Sequence, residues 1–247
     1  VKRVVVVGAT DGLGKALAAE YASRGAWVCL VGRNAAKLEA ARSEIAGKHP
    51  DATLTAVLCD LADAGRIGPA FAEAVASIGH CDLFLYNAGV MYHGDGVTSD
   101  PARDRETMEV NAVAAVEMLG FAANYFREAR RGQIAAISSI AGDRGRKGNP
   151  TYNASKAALT TYLEGLRGRL FPFGVRVSTV KPGFVGTKMT EGKSGLFWVA
   201  PPETAARIIA DRLERGADVF YVYRRWGILG LLLRHVPRFL FKRFGPP

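Results

Sequence analysis

The 247-residue sequence predicts a single α/β domain on a doubly wound parallel sheet, and three features carry that reading. Short β-branched runs alternate with longer helical stretches along the chain. The first run, Val4–Val7, is apolar without alternation, as expected of a strand covered on both faces. A glycine-rich turn from Gly8 to Gly14 follows it directly and opens a helix. Strands are expected at Val4–Val7, Trp27–Val31, Leu54–Leu58, Leu83–Tyr86, Gln133–Ser138, Val175–Lys181 and Val219–Val222. Helices are expected near 13–24, 35–47, 63–77, 102–129, 153–171 and 202–214. Such alternation gives parallel strands joined by right-handed crossovers. No repeat, low-complexity tract or linker interrupts it, so 1–223 reads as one domain and 224–247 as a C-terminal appendage.

Composition narrows the class. With 49% hydrophobic and 23% charged residues, the chain is not disordered. Cys29, Cys59 and Cys81 are odd in number and lie in or beside apolar runs, which suits buried free thiols in a reducing cytoplasm. His49, His80, His93 and His235 are scattered without ligand spacing, so no metal site is expected. No apolar run approaches the ~18 residues that span a bilayer. The sequence opens on a strand rather than a signal-like segment, so a soluble or peripheral cytoplasmic protein is expected.

The net charge of +10 is unevenly spread: Val219 to Pro247 holds Arg224, Arg225, Arg234, Arg238, Lys242 and Arg243 but no Asp or Glu.

The turn reads Gly8-Ala9-Thr10-Asp11-Gly12-Leu13-Gly14. Glycines at a strand-to-helix turn let backbone N–H groups approach a pyrophosphate at the helix N-terminus, which points to a Rossmann-type dinucleotide site. At the end of the second expected strand stands Arg33, with no acid at Gly32. An acid there would bind ribose hydroxyls, whereas an arginine suits a 2′-phosphate. A solvated surface arginine is the plainer alternative. The third strand runs into Asp60-Leu61, with Asp60 placed either to accept from an adenine amino group or to cap the next helix.

Tyr152-Asn153-Ala154-Ser155-Lys156 opens a later helix, and four-residue spacing puts the Tyr152 hydroxyl and the Lys156 ammonium on one face. A neighbouring ammonium favours the phenolate, tuning a weak acid toward acid/base work on a carbonyl/alcohol pair. Ser139 stands at the carboxyl end of the fifth strand, where ligands of open α/β sheets bind.

The glycine turn, Tyr86-Asn87-Ala88-Gly89, Asn111, Ser138-Ser139-Ile140-Ala141-Gly142, the Tyr152–Lys156 pentad and Lys181-Pro182-Gly183-Phe184-Val185-Gly186-Thr187 occur in order from Val4 to about Thr187. Together they resemble the short-chain dehydrogenase/reductases. The resemblance implies that Tyr152 exchanges a proton with the substrate oxygen and that Ser139 orients the carbonyl. It implies that Lys156 lowers the tyrosine pKa and binds the nicotinamide ribose, and that Asn111 supports a water relay. It implies a cofactor site of Gly8, Thr10, Asp11, Gly12, Leu13, Gly14, Arg33, Asp60, Leu61, Asn87, Ala88, Gly89, Tyr152, Lys156, Pro182, Gly183, Val185 and Thr187. NADP(H) is the preferred cofactor on this reading, with NAD(H) a compatible alternative. Three positions depart from the family pattern. Val7 replaces the usual threonine, Tyr86 the first asparagine of N-N-A-G, and Asp11 a position often basic in NADP-preferring members.

The segment between Thr187 and Pro201 carries Leu196, Phe197 and Trp198, which by resemblance is a substrate lid suited to a greasy ligand. Trp226–Phe244 follows as a basic amphipathic stretch that Pro237 is expected to split. Such stretches lie in membrane interfaces with cations toward anionic headgroups, although packing on the domain or a subunit contact would also use them. This tail and Ala141–Arg146 are similar to those of decaprenylphosphoryl-2-keto-ribose reductases, which act on a polyprenyl-phosphate-linked keto sugar.

The expected function is reduction of a ketone, or oxidation of a secondary alcohol, on a lipidic or lipid-linked substrate. Steroid or 3-keto-lipid chemistry is the alternative within the class, and a non-catalytic nucleotide-sensing scaffold the alternative outside it. Nucleic acid is not an expected partner, because the basic residues are interleaved with bulky aliphatics rather than spaced stacking aromatics. The resemblance implies a homodimer or homotetramer through helices 102–129 and 153–171.

Overall fold

The computed structural model describes the chain except residues 93–98, 193–194 and 245–247. His93 and the last three residues of the expected tail therefore lie outside the described residues. Seven strands form one parallel sheet: β1 (Arg3–Val7), β2 (Trp27–Gly32), β3 (Leu54–Leu58), β4 (Leu83–Tyr86), β5 (Gln133–Ile137), β6 (Arg176–Lys181) and β7 (Val219–Tyr221). Their spatial order is β3-β2-β1-β4-β5-β6-β7. The order reverses between β1 and β4, and a crevice opens there at the carboxyl ends of the strands.

The helices are α1 (Gly12–Ser23), α2 (Ala35–Lys48), α3 (Ala64–Ser77), α4 (Pro101–Met108), α5 (Ala114–Ala129), α6 (Pro150–Leu170), α7 (Pro202–Glu214), α8 (Arg224–His235) and α9 (Arg238–Phe244). Side chains alternate along each strand, so the sheet has two cores. Val4, Val6, Leu30 and Leu83 pack with α1 and α7, while Val5, Val7, Phe84 and Ile134 pack with α3, α5 and α6. The three cysteines are buried and unbridged, as expected.

The strand expectations agree with the structure to within a residue. The expected helix over 102–129 forms as a continuous run of helical backbone from Pro101 to Ala129, with one irregularity inside it. A π-helical turn, Glu109–Val113, joins α4 to α5 without a break and carries Asn111 inward. The phase shift from the extra residue is hidden in a stretch that is apolar on more than one face, and such turns mark functional sites in many helices. Pro237 does split the tail, into α8 and α9. No helix among the described residues is long and apolar enough to cross a membrane.

Candidate active site

The site forms where the carboxyl ends of β1, β4, β5 and β6 meet the starts of α1 and α6. Asn149 begins α6 by accepting the Tyr152 backbone N–H at 3.0 Å, while its own amide nitrogen donates to the Tyr92 carbonyl at 3.0 Å. The helix start is thereby tied to the segment leaving β4. Pro150 fills the first turn, where a missing N–H costs nothing.

Tyr152 and Lys156 share one face, with Nζ 5.8 Å from the phenol ring centre. Both are buried. Lys156 Nζ donates to the Ile137 carbonyl at the end of β5, 3.0 Å away. Burial pushes the ammonium down to about 8. Burial pushes the Tyr152 phenol up to about 12, opposed by a hydrogen bond with Ser139 and by the positive charge of Arg146. Arg146 thus adds a positive charge near the phenol beside the Lys156 ammonium that the helix spacing places on the same face.

The two serines after β5 divide their work. The Ser138 hydroxyl bonds the Lys156 carbonyl at 2.9 Å and Thr160 at 2.7 Å, which fixes α6 against the sheet. Ser139 Oγ accepts from the Ala141 N–H at 3.0 Å and faces the cavity beside Tyr152. Asn111 is fully buried. Its Oδ1 accepts from the Val90 N–H at 2.7 Å, and its Nδ2 donates to the Val90 carbonyl and to Ser155. It ties the π-helical turn to the β4 exit and to α6.

At the glycine turn the backbone approaches itself closely. Gly8 has φ +78°, and a Cβ there would lie 2.7 Å from Ala88 Cα. A Cβ on Gly14 would lie 1.9 Å from the Gly8 carbonyl oxygen. Asn87 clamps the turn to β4, its N–H donating to Val7 and its side-chain amide to the Gly8 carbonyl at 3.2 Å. Asp11 caps α1 through the Gly12 N–H and pairs with Lys188 at 2.6 Å across the cavity mouth. Arg33 stands exposed at the end of β2, 3.8 Å from Glu106, whose carboxylate also accepts from Tyr92 at 2.5 Å. Asp60 does not cap α3: that position is Asp63, and Asp60 accepts from the Ala62 N–H in the loop before it.

These residues line one cavity of about 1130 Å³. Of the site residues expected from sequence, all but Gly14 and Asn111 line it; those two hold lining residues from behind. Its far wall comes from the C-terminal helices through Trp226, Leu229, Leu233 and Phe241, together with Phe197. Trp226 is buried, within 5.3 Å of Phe184 and stacked on Phe197 at 5.1 Å. A Cβ on Gly183 would lie 2.0 Å from the Trp226 ring, so only glycine admits it. Trp198, expected over the pocket, instead packs on Trp226 beneath Arg225 and does not line the cavity.

Two residues unremarked as functional in the sequence hold the tail. Asp143 pairs with Lys181 at 2.6 Å and accepts from the Tyr221 hydroxyl at 2.5 Å, and α8 lies against it at Gly230. Arg144 donates to the Leu233 and Val236 carbonyls at the end of α8, and its guanidinium stacks 3.9 Å from the Phe241 ring centre. A cation at those orphaned carbonyls also complements the helix dipole. The available signals were the resemblance noted for Ala141–Arg146 and two arginines close before Asn149.

A dinucleotide-type cradle joined to a buried Ser–Tyr–Lys constellation defines a Rossmann-class fold with an acid/base group at its cleft. A family model described as short chain dehydrogenase matches residues 2–195. The chain belongs to the short-chain dehydrogenase/reductase family. It is 34% identical over 191 residues to bovine dehydrogenase/reductase SDR family member 7B, covering 76% of this chain and 59% of that relative. An uncharacterised oxidoreductase of Mycobacterium tuberculosis is 31% identical over 240 residues, covering 97% of this chain and 96% of that protein. A metagenomic short-chain oxidoreductase solved in complex with NADP superposes with a TM-score of 0.74 at 31% identity, covering 88% of this chain and 92% of that one. The short-chain dehydrogenase from Sphingobium yanoikuyae in complex with NADPH shares the fold, with a TM-score of 0.82 at 22% identity over 96% of this chain and 97% of that one.

Proposed function

We propose that this enzyme uses NADPH to reduce a ketone, or NADP⁺ to oxidise the corresponding secondary alcohol, on a lipidic or lipid-linked substrate. The observation that carries the reading is one cavity with two unlike ends: Ser139, Tyr152 and Lys156 on one side, and Trp226, Leu229, Leu233 and Phe241 on the other. The cradle fits the cofactor, since side chains at Gly8 and Gly14 would fill the close turn through which backbone amides reach a pyrophosphate. Arg33 offers a fork for a 2′-phosphate, and a relative at 31% identity was solved with NADP.

The nicotinamide, when held in this cradle, would supply hydride chemistry. Tyr152 gives a proton to the carbonyl oxygen, and its high pKa suits it to remain protonated until the oxygen develops charge. Ser139, facing the cavity beside Tyr152, holds the carbonyl in register. Lys156 has donors to spare beyond Ile137 and offers them to the ribose, while Asn111 positions the β4 exit for proton resupply.

Among greasy substrates, a polyprenyl-phosphate-linked keto sugar is supported by the tail's resemblance to the keto-ribose reductases and by its charge. A steroid or 3-keto lipid would use the same apolar wall without needing the cations. A nucleotide-sensing scaffold would have no use for a buried Ser–Tyr–Lys group. The tail exposes Ile228, Leu231, Leu232, Phe239 and Leu240 beside Arg238 and Lys242, a face suited to the cytoplasmic surface of a membrane. On α5 and the turn before it, exposed Val113, Val116 and Phe121 suit a homodimer or homotetramer contact.

Tyr152→Phe is expected to cut turnover at least a hundredfold while leaving NADPH affinity within a few-fold, because the hydroxyl moves the proton and is one of many groups in the cofactor site. Stopped-flow hydride transfer at the parent rate would remove Tyr152 from the chemistry.

NADPH is expected to bind more tightly than NADH, and Arg33→Ala to weaken NADPH selectively by about 1.5–3 kcal/mol, the worth of a charged hydrogen bond. Titration by cofactor fluorescence checks this. Equal losses for both cofactors would leave Arg33 a surface residue, with Asp11 the better guide to preference.

The protein is expected to cosediment with vesicles containing anionic lipid, less so as salt rises. Replacing Arg234, Arg238 and Lys242 together by Gln should remove up to ~1 kcal/mol of attraction for each, with turnover of a small soluble ketone preserved. A parent protein that ignores such vesicles at low salt would confine the tail to its packing role.

A further inference from the structure

We infer that Arg146 is an anion-recognition residue of the substrate cavity, selecting a ketone or alcohol that carries a carboxylate or phosphoryl group near the reacting carbon. The inference rests on reading the cavity as a reductase site and adds the charge its substrate bears.

Arg146 sits on the connection between β5 and α6, six positions before Tyr152, and lines the cavity with Tyr152 and Asn149. The Asn153 side-chain amide donates to its carbonyl at 3.4 Å, which holds this segment against α6. Its Nε is buried and has no hydrogen-bond partner among the described residues. No carboxylate among the described residues lies within ion-pair distance of its guanidinium. The carboxylate nearest in sequence, Asp143, is already committed to Lys181 and Tyr221. Buried polar groups in native proteins are nearly always satisfied, so an unmet donor on a charged group facing a cavity calls for a partner from outside the chain.

The other cations around the cavity show the contrast. Lys156 donates to Ile137, Lys188 pairs with Asp11, Arg33 stands near Glu106, and Arg144 is spent on the end of α8 and on Phe241. Arg146 differs in having no such partner among the described residues, and it is close enough to Tyr152 for its charge to bear on the phenol. A guanidinium presents Nε and one Nη as a planar fork that matches two oxygens of a carboxylate or phosphoryl group. The apolar walls strengthen such a pair by excluding water. Proximity to the phenol puts the bound anion near the carbonyl that Tyr152 serves, rather than at the remote end of a long chain.

The test is calorimetric titration of the protein saturated with NADP⁺, in which a ketone cannot be reduced. The probes are 4-oxopentanoate, dihydroxyacetone phosphate and neutral 2-pentanone, which separate a carboxylate from a phosphoryl preference. At least one anionic probe is expected to bind tenfold or more tightly than 2-pentanone. Arg146→Gln should abolish that advantage without changing the affinity for 2-pentanone or NADP⁺, and Arg146→Lys should keep part of it. Unchanged NADP⁺ affinity in both variants confirms that they fold. Equal binding of charged and neutral probes, or an advantage that survives Arg146→Gln, would overturn the inference while leaving the reductase reading intact. Failure of the parent protein to bind NADP⁺ would sink both.

Discussion

The ammonium of Lys156 is buried at the carboxyl end of β5 with one backbone acceptor, Ile137, and much of the site is arranged around it. Two strand ends and a helix converge there. A Cβ on Gly89, at the β4 exit, would come within 3.3 Å of Nζ. A Cβ on Gly142, past β5, would lie 2.7 Å from the Lys156 carbonyl carbon, so α6 lies closer to this turn than any other residue would permit. Ser138 accepts no such closeness passively, for its hydroxyl bonds the Lys156 carbonyl and fixes the helix axially. An ammonium has three donors and a high cost of desolvation. Leaving it under-partnered makes sense in a place where a nucleotide brings acceptors.

Around that constraint the cavity divides into two regimes. The polar half is built from strand ends and helix starts, where backbone groups are free and short loops fix them. The apolar half is borrowed from the C-terminal helices. They are held by Asp143, bridging Lys181 and Tyr221, and by Arg144 on the last carbonyls of α8. A buried ion pair such as Lys181–Asp143 adds little net stability, and specificity of docking is the better account of its place. The residues that shape the substrate wall and those that perform the chemistry therefore touch through Ala141–Arg146. A shift of the tail would be felt within a few residues of Tyr152.

Much of this was legible in the sequence, because it rests on local rules. Val4–Val7 reads as a doubly covered strand, and the Tyr152–Lys156 spacing fixes a shared helix face whatever surrounds it. What escaped depends on contacts between distant segments. The π-helical turn at Glu109–Val113 is hidden because the stretch around it is buried on more than one face, which blurs the shift in periodicity. Trp226 reads as one apolar residue of an amphipathic tail, and its burial over Gly183 follows only once β6 and α8 are brought together. Arg144 and Arg146 look alike on paper, two basic residues flanking a glycine. Folding gives one to the tail and leaves the other facing the cavity. The nearness of Arg146 to Tyr152 escaped for the same reason: spacing on a helix says which of its groups share a face, not which groups arrive from other segments.

The most direct test of this account is the titration of Lys156 itself, followed by NMR on protein carrying ¹³Cε-labelled lysine, with the Lys156→Met variant to assign the signal. In nucleotide-free protein the ammonium should lose its proton near pH 8, because burial disfavours its charged form. Saturation with NADPH should move the titration upward, since added acceptors and phosphate charge favour the cation. A midpoint at the ordinary lysine value in the free protein, or one indifferent to NADPH, would contradict the claim that this buried ammonium organises the site.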